Sequence, residues 1–205
     1  MNHKTNILKA KLTSVISAIA IITTYSQCLA SEVVKVYEKN INNKSYCVSE
    51  IIVNTSPINV WKIITNYNQA NRVFPRLKEC ELLKSQGNVK IVRHSLNPSG
   101  MPTRFNYIVE VTENYGKELT WHRKSGDFKE VDGFWRLESI NNGKATNVVY
   151  ASHVIGTFLQ PEVLIKRQCK MDMPSTMIAL KTTAESTNTA ANSAEIASKM
   201  DSNVH

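Results

Sequence analysis

The chain has 205 residues, 42% of them apolar, 20% charged and 7% aromatic, with only 7 Gly and 6 Pro. These values exclude collagen-like and grossly disordered chains, and the length favours one or at most two domains. Lys and Arg number 25 against 17 Asp and Glu, a formal net charge of +8. That excess is too mild and too scattered to point to nucleic acid as a partner.

Residues 1–30 read as a secretory signal peptide. A basic head carrying Lys4, Lys9 and Lys11 precedes an apolar run from Leu12 to Tyr25, and Cys28-Leu29-Ala30 supplies a small-residue exit before Ser31. A spanning helix needs ~20 apolar residues, and this run is shorter. Gln27 does not suit a lipidation signal at Cys28. The expectation is a cleaved leader and a mature protein exported to the periplasm or beyond the cell. Without Cys28 the cysteines are Cys47, Cys80 and Cys169, an odd number with no CxxC pair. At most one disulfide could form, and a core of this size does not need one, so buried free thiols are expected.

Beyond the leader, Val33 to Tyr37 reads as a short strand that turns through Asn40-Ile41-Asn42-Asn43, and Tyr46 to Val53 as a strand of β-branched and aromatic residues. Ser56-Pro57 opens a helix, Ser56 as N-cap and Pro57 in the first turn, with Ile58, Trp61 and Ile64 on one face. A second short helix runs from about Gln69 to Phe74 and stops at Pro75. The period then changes to two. Strands are expected at Glu79–Lys84, Val89–Leu96, Thr103–Thr112, Glu118–Lys124, Gly133–Ser139 and Thr146–Ile155, separated by Gly- and Asn-bearing turns that make antiparallel hairpins. Phe105, Tyr107, Val109 and Val111 share one face of their strand, opposite Arg104, Asn106 and Glu110, so one side of the sheet is covered.

Gln160-Pro161-Glu162 opens the covering helix, about 25 residues long, with Val163, Leu164, Met171, Met177 and Leu180 as apolar positions and a kink at Pro174. From residue 188 onward the Ala, Ser, Asn and Thr content predicts a frayed or disordered tail. The fold class is α+β: a curved antiparallel sheet of about seven strands gripping a long C-terminal helix, with two short helices after the first strand. A bent sheet held by one helix leaves a hollow between them.

The strings Ser56-Pro57-Ile58-Asn59-Val60-Trp61, Thr65-Asn66-Tyr67-Asn68 and Phe74-Pro75-Arg76-Leu77-Lys78-Glu79-Cys80 resemble the opening of the START-like (SRPBCC, helix-grip) superfamily. Gly126-Asp127-Phe128, Gly133-Phe134-Trp135-Arg136-Leu137, Thr146-Asn147-Val148-Val149-Tyr150 and Phe158-Leu159-Gln160-Pro161 look like later parts of its polyketide cyclase/dehydrase branch, which includes coenzyme Q-binding proteins. The likeness spans about Tyr46 to Glu185, within a domain placed at 31–187. It implies a cavity for a lipid-like or polycyclic molecule and implies no reaction.

Motifs for catalysis are absent from the sequence. There is no GxSxG elbow, P-loop or dinucleotide fingerprint, and His94, His122, His153 and His205 form no metal-ligand spacing, so no metal or cofactor is expected. The expected ligand-binding set is Trp61, Phe74, Phe105, Tyr107, Trp121, Trp135, Tyr150, Met173 and Met177, aromatic rings to stack on a flat apolar ligand and thioethers to adapt to a floppy one. For each of these, ordinary core packing is the competing role. The expected function is an exported, monomeric protein that binds a hydrophobic small molecule, with passing contact to a membrane surface. Two other readings stay open: a cyclase or aromatase using His94 or His153 as its acid/base, and an envelope interaction module.

Overall fold

The structure, a computed structural model, describes residues 34–157 and 161–202, with few side chains beyond residue 190. The expected leader lies outside the described residues. From residue 34 the chain forms one compact unit. Its elements are β1 (Lys35–Ile41), β2 (Lys44–Val53), α1 (Pro57–Ile64), α2 (Ala70–Val73), β3 (Leu77–Gln86), β4 (Val89–Leu96), β5 (Phe105–Asn114), β6 (Glu118–Gly126), β7 (Glu130–Ile140), β8 (Ala145–Ile155) and α3 (Glu162–Ser202).

The strands form one antiparallel sheet in the order β1-β2-β8-β7-β6-β5-β4-β3. The strands from β3 to β8 pair each with the next in sequence. Between β2 and β3 the chain crosses to the opposite edge through α1 and α2, and this places both short helices against the inner face. The sheet has eight strands rather than about seven. β1 runs past its expected end at Tyr37 to Ile41, and the turn falls on Asn42 and Asn43, within the expected stretch, because both take positive φ (50° and 63°) and close a two-residue hairpin. Register shifts between Leu77 and Glu79, between Leu82 and Lys84, and between Ile108 and Val109 interrupt the ladders at one side. Such bulges bend and twist a sheet locally.

α1 begins as expected. Ser56 is extended and Pro57 sits in the first turn, although the Ser56 side chain makes no capping bond and Asn59 donates to Thr55 Oγ1 instead (2.9 Å). Val60, Trp61 and Ile64 are its buried face. The core joins these to Ile51 and Val53 of β2, Val92, Val109, Val111, Leu119 and Leu137 of the sheet, and Met177, Leu180 and Ala184 of α3.

α3 is longer than the sequence predicts, 41 residues against about 25, and it continues through the stretch read as a tail. Ala is the strongest helix former. The Thr and Ser hydroxyls need not compete with the helix, because Thr183, Thr187, Thr189 and Ser193 each donate to a carbonyl four residues back. Pro174 lies within the assigned helix without ending it. The buried stripe is Met173, Met177, Leu180 and Ala184, at spacings of four, three and four. Val163, Leu164 and Met171, expected against the sheet, are exposed, since they lie off that stripe.

A buried cation fixes α3 to the sheet. Lys181, 4% exposed, donates to Ile52 O (2.9 Å) and to Glu185 Oε1 (2.6 Å), which also accepts Asn54 N–H (2.6 Å). Burial alone would raise the Glu185 carboxyl, but the bonds from Lys181 and Asn54 outweigh it and hold the group below the usual range. Such a carboxylate adds stability above the unfolded carboxylate range, and the contribution fades as pH falls through the lower folded value. Glu185→Gln is expected to lose about 1.5–3 kcal/mol at neutral pH, with the gap to wild type narrowing in acid. Urea denaturation at two pH values checks this.

Candidate ligand cavity

Between the inner face of the sheet, α2 and the first half of α3 lies a cavity of about 350 Å³. A run of tilted, stacked rings builds one wall. Phe74 lies 6.0 Å from Trp135, Trp135 lies 4.2 Å from Tyr150, and Tyr150 lies 5.9 Å from Trp121, with interplanar angles of 30°, 23° and 29°. Alternation places these residues. Trp121 on β6, Trp135 on β7 and Tyr150 on β8 are inward positions of adjacent strands, with Trp135 and Tyr150 directly paired. On the other side Phe105 and Tyr107 of β5 meet Phe128 at 5.1 and 5.5 Å, and the His94 ring stands edge-on to Tyr107 at 5.2 Å. Met173 and Thr176 close the α3 side.

The titratable groups of this interior are held neutral. Burial lowers the His94 imidazole to about 4. Burial also pushes the Cys80 and Cys169 thiols up to about 12, and the Tyr107 and Tyr150 phenols upward. Cys47, Cys80 and Cys169 are free thiols. The charges on the lining stand together: Arg76 Nε lies 3.2 Å from Asp172 Oδ1, too poorly aligned for a hydrogen bond, while Asp172 Oδ2 accepts from Gln168 Nε2 (2.7 Å) and Ser99 N (3.2 Å). Arg76 is partly exposed there, and Leu164, also on the lining, is half-exposed. The cavity therefore has an oily interior and one polar edge.

His94 gives this description a pH signature. The unfolded chain takes up its proton near 6.5, whereas the folded protein takes it up only near 4. The contribution is complete above about pH 6.5 and falls as pH drops to about 4, below which it is level. Relative to His94→Gln, the wild type is expected to lose roughly 2–3 kcal/mol across that window. Denaturant midpoints at pH 7 and pH 4.5 measure the difference.

Of the residues expected to bind ligand, Phe74, Phe105, Tyr107, Trp121, Trp135, Tyr150 and Met173 stand on the cavity wall. Trp61 and Met177 do not. Trp61, on the buried face of α1, is packed in the core edge-on to Tyr115 at 5.9 Å, and it is Ile64, three residues on, that α1 contributes to the lining. Met177 is fully buried one turn beyond Met173, where α3 has already closed on the sheet. His94 lies on the wall, but His153 projects from the opposite face of the sheet toward Tyr46, away from the cavity. Arg104 and Glu110 face solvent, as the alternation predicts. Arg76, Gln168 and Asp172 were not legible as site residues. Their one signal is that Arg76 falls in the Phe74-Pro75-Arg76 string.

Comparison with known proteins agrees with this geometry. The family model described as polyketide cyclase / dehydrase and lipid transport matches residues 53–181. No curated protein sequence matches the chain. Among solved structures, the Zhui aromatase/cyclase from Streptomyces sp. R1128 superposes with a TM-score of 0.62 at 12% identity, covering 68% of this chain and 93% of that one. A STAR-related lipid transfer protein from Xanthomonas axonopodis gives 0.58 at 17% identity, covering 74% and 93%. Human StAR-related lipid transfer protein 5 gives 0.59 at 12% identity, covering 88% and 97%. At these identities the structures speak for the fold alone. With the family match over residues 53–181 and an eight-stranded sheet closed by one long helix, the chain belongs to the polyketide cyclase / dehydrase and lipid transport family.

Proposed function

We propose that this is an exported binding protein that holds one hydrophobic small molecule, a lipid, isoprenoid or aromatic polycycle, in the cavity without transforming it. The observation that carries the reading is the lining itself: stacked aromatic rings and neutral polar groups inside, with charge confined to Arg76 and Asp172 at one edge. Such a surface favours an apolar body with at most one polar end. Burying ~200–300 Å² of apolar ligand surface at ~25 cal/mol per Å² gives roughly 5–7 kcal/mol before association costs. Export rests on the basic and apolar pattern of residues 1–30. Exposed Val163, Leu164 and Met171 on the first turns of α3, beside the lining, support brief contact with a membrane surface during loading.

Trp121 and Trp135 make the test direct. Their fluorescence in solvent-extracted, refolded protein is expected to change saturably, one ligand per chain, on titration with long-chain fatty acids, isoprenoid alcohols or flat polycycles. If none of the three classes gives a saturable change, the reading fails.

A second reading, a cyclase or aromatase, is favoured by one observation: His94 presents an imidazole kept unprotonated on the wall. Polyketide turnover that disappears in His94→Gln while ligand binding persists would establish it.

A further inference from the structure

On the face of the sheet away from the cavity, β7 and β8 bring three potential ligand groups together. Asp132 and His153 are directly opposite in register, and Glu130 is two residues back on the same side of β7. One ligand atom from each lies within 4.8 Å of the others. The carboxylates alone would be an ordinary acidic cluster. His153 is not ordinary. The residue is 8% exposed, and its Nδ1 lies 2.8 Å from Ser45 O. A carbonyl only accepts, so Nδ1 donates to Ser45 O and Nε2 is the ring nitrogen turned toward the carboxylates. Nε2 is buried without a hydrogen-bond partner, and Glu130 Oε2 lies 3.6 Å from it, beyond hydrogen-bond range.

A buried imidazole fixed by a backbone carbonyl, with its free nitrogen turned toward carboxylates, is the arrangement in which histidine binds a metal. The spacing also fits. Two bonds of about 2.1 Å at a tetrahedral angle place their ligand atoms about 3.4 Å apart. The locus already attracts a cation: Lys44 Nζ lies 2.9 Å from Glu130 Oε2 and 2.5 Å from Asp132 Oδ2. Lys44 is the first residue after the β1–β2 turn and its side chain is 41% exposed, so it can leave for water.

We propose that Glu130, Asp132 and His153 form a binding site for a divalent transition cation of the zinc type, with water completing the shell, and that the Lys44 ammonium holds the site until the metal displaces it. One imidazole and two carboxylates suit Zn²⁺ or Co²⁺ better than Ca²⁺ or Mg²⁺. The site ties β7 to β8, with Lys44 and Ser45 of β2 beside it, and does not touch the cavity. No spacing in the sequence signals it, because its members meet through strand register.

The test is calorimetric titration of the chelator-treated full chain with Zn²⁺, and with Co²⁺ followed by its visible ligand-field bands. One saturable equivalent is expected, with a rise in Tm. Lys44→Met should bind at least tenfold more tightly, since the competing ammonium is gone. Both His153→Gln and the double variant Glu130→Gln/Asp132→Asn should weaken binding at least tenfold, and the double variant keeps the test alive if the buried histidine is needed for folding. Cavity-probe binding should be unchanged by the metal. No saturable binding in wild type or Lys44→Met overturns the proposal, and so does binding that survives both ligand variants, which would place the metal on other side chains, the free thiols included.

Discussion

Thr176→Trp is expected to weaken binding of an apolar ligand by about a hundredfold or more while leaving the protein folded. Thr176 is a half-buried residue on the α3 side of the cavity, one turn from Asp172, whose carbonyl its hydroxyl meets at 3.2 Å. Replacing it adds an indole where the protein has a void, so little has to be displaced. Excluding ~100–150 Å² of ligand contact at ~25 cal/mol per Å² removes about 2.5–4 kcal/mol, and a hundredfold change in Kd corresponds to about 2.7 kcal/mol. The measurement pairs a ligand titration with a thermal melt. Unchanged affinity in a folded variant would mean that ligand sits elsewhere, and lost affinity with a Tm near wild type is the expected pair.

The converse test removes space where none exists. At Gly133, the β7 residue paired with Trp121, an added Cβ would lie 2.1 Å from Trp121 Cζ2 and 2.5 Å from Ala151 O. The indole rests on the bare backbone of this glycine, which lets it stack on Tyr150. Gly133→Ala must therefore shift the ring or part β7 from β8. A loss of about 1–3 kcal/mol is expected, the usual cost of overpacking, together with a changed near-UV signal from Trp121. Denaturant unfolding and circular dichroism give both readouts. A variant with wild-type stability and an unaltered aromatic spectrum would contradict the placement of Trp121 on the cavity wall.

Much of this architecture is legible in the chain, for reasons tied to particular residues. The alternation Phe105, Tyr107, Val109, Val111 fixes which side of β5 is covered, and Ser56-Pro57 fixes where α1 begins. Turn residues mark the hairpins: Gly87 and Gly143 take the positive φ that their turns require, 55° and 82°. Helical spacing and residue type do not say where a surface is filled and where it is hollow. Trp61 and Trp135 are both inward and both buried, yet one is packed in solid core and the other lines a void, a difference set by where α1 and α3 touch the sheet. The same holds for Met177 and Met173, one turn apart. Arg76 and Asp172 are distant in sequence and meet only when α3 packs beside α2, just ahead of β3. The extended β1 and the long α3 exceed expectation because Asn tolerates the left-handed turn and Ala-rich sequence continues a helix already nucleated by packing.

The most direct measurement is native mass spectrometry of the protein purified from its own host, with organic extraction of whatever accompanies it. A single apolar molecule per chain, absent from the Thr176→Trp variant, is the predicted result. An empty extract, with a crystal structure in which the protein's own side chains fill the space between Tyr150, Phe105 and Met173, would contradict it.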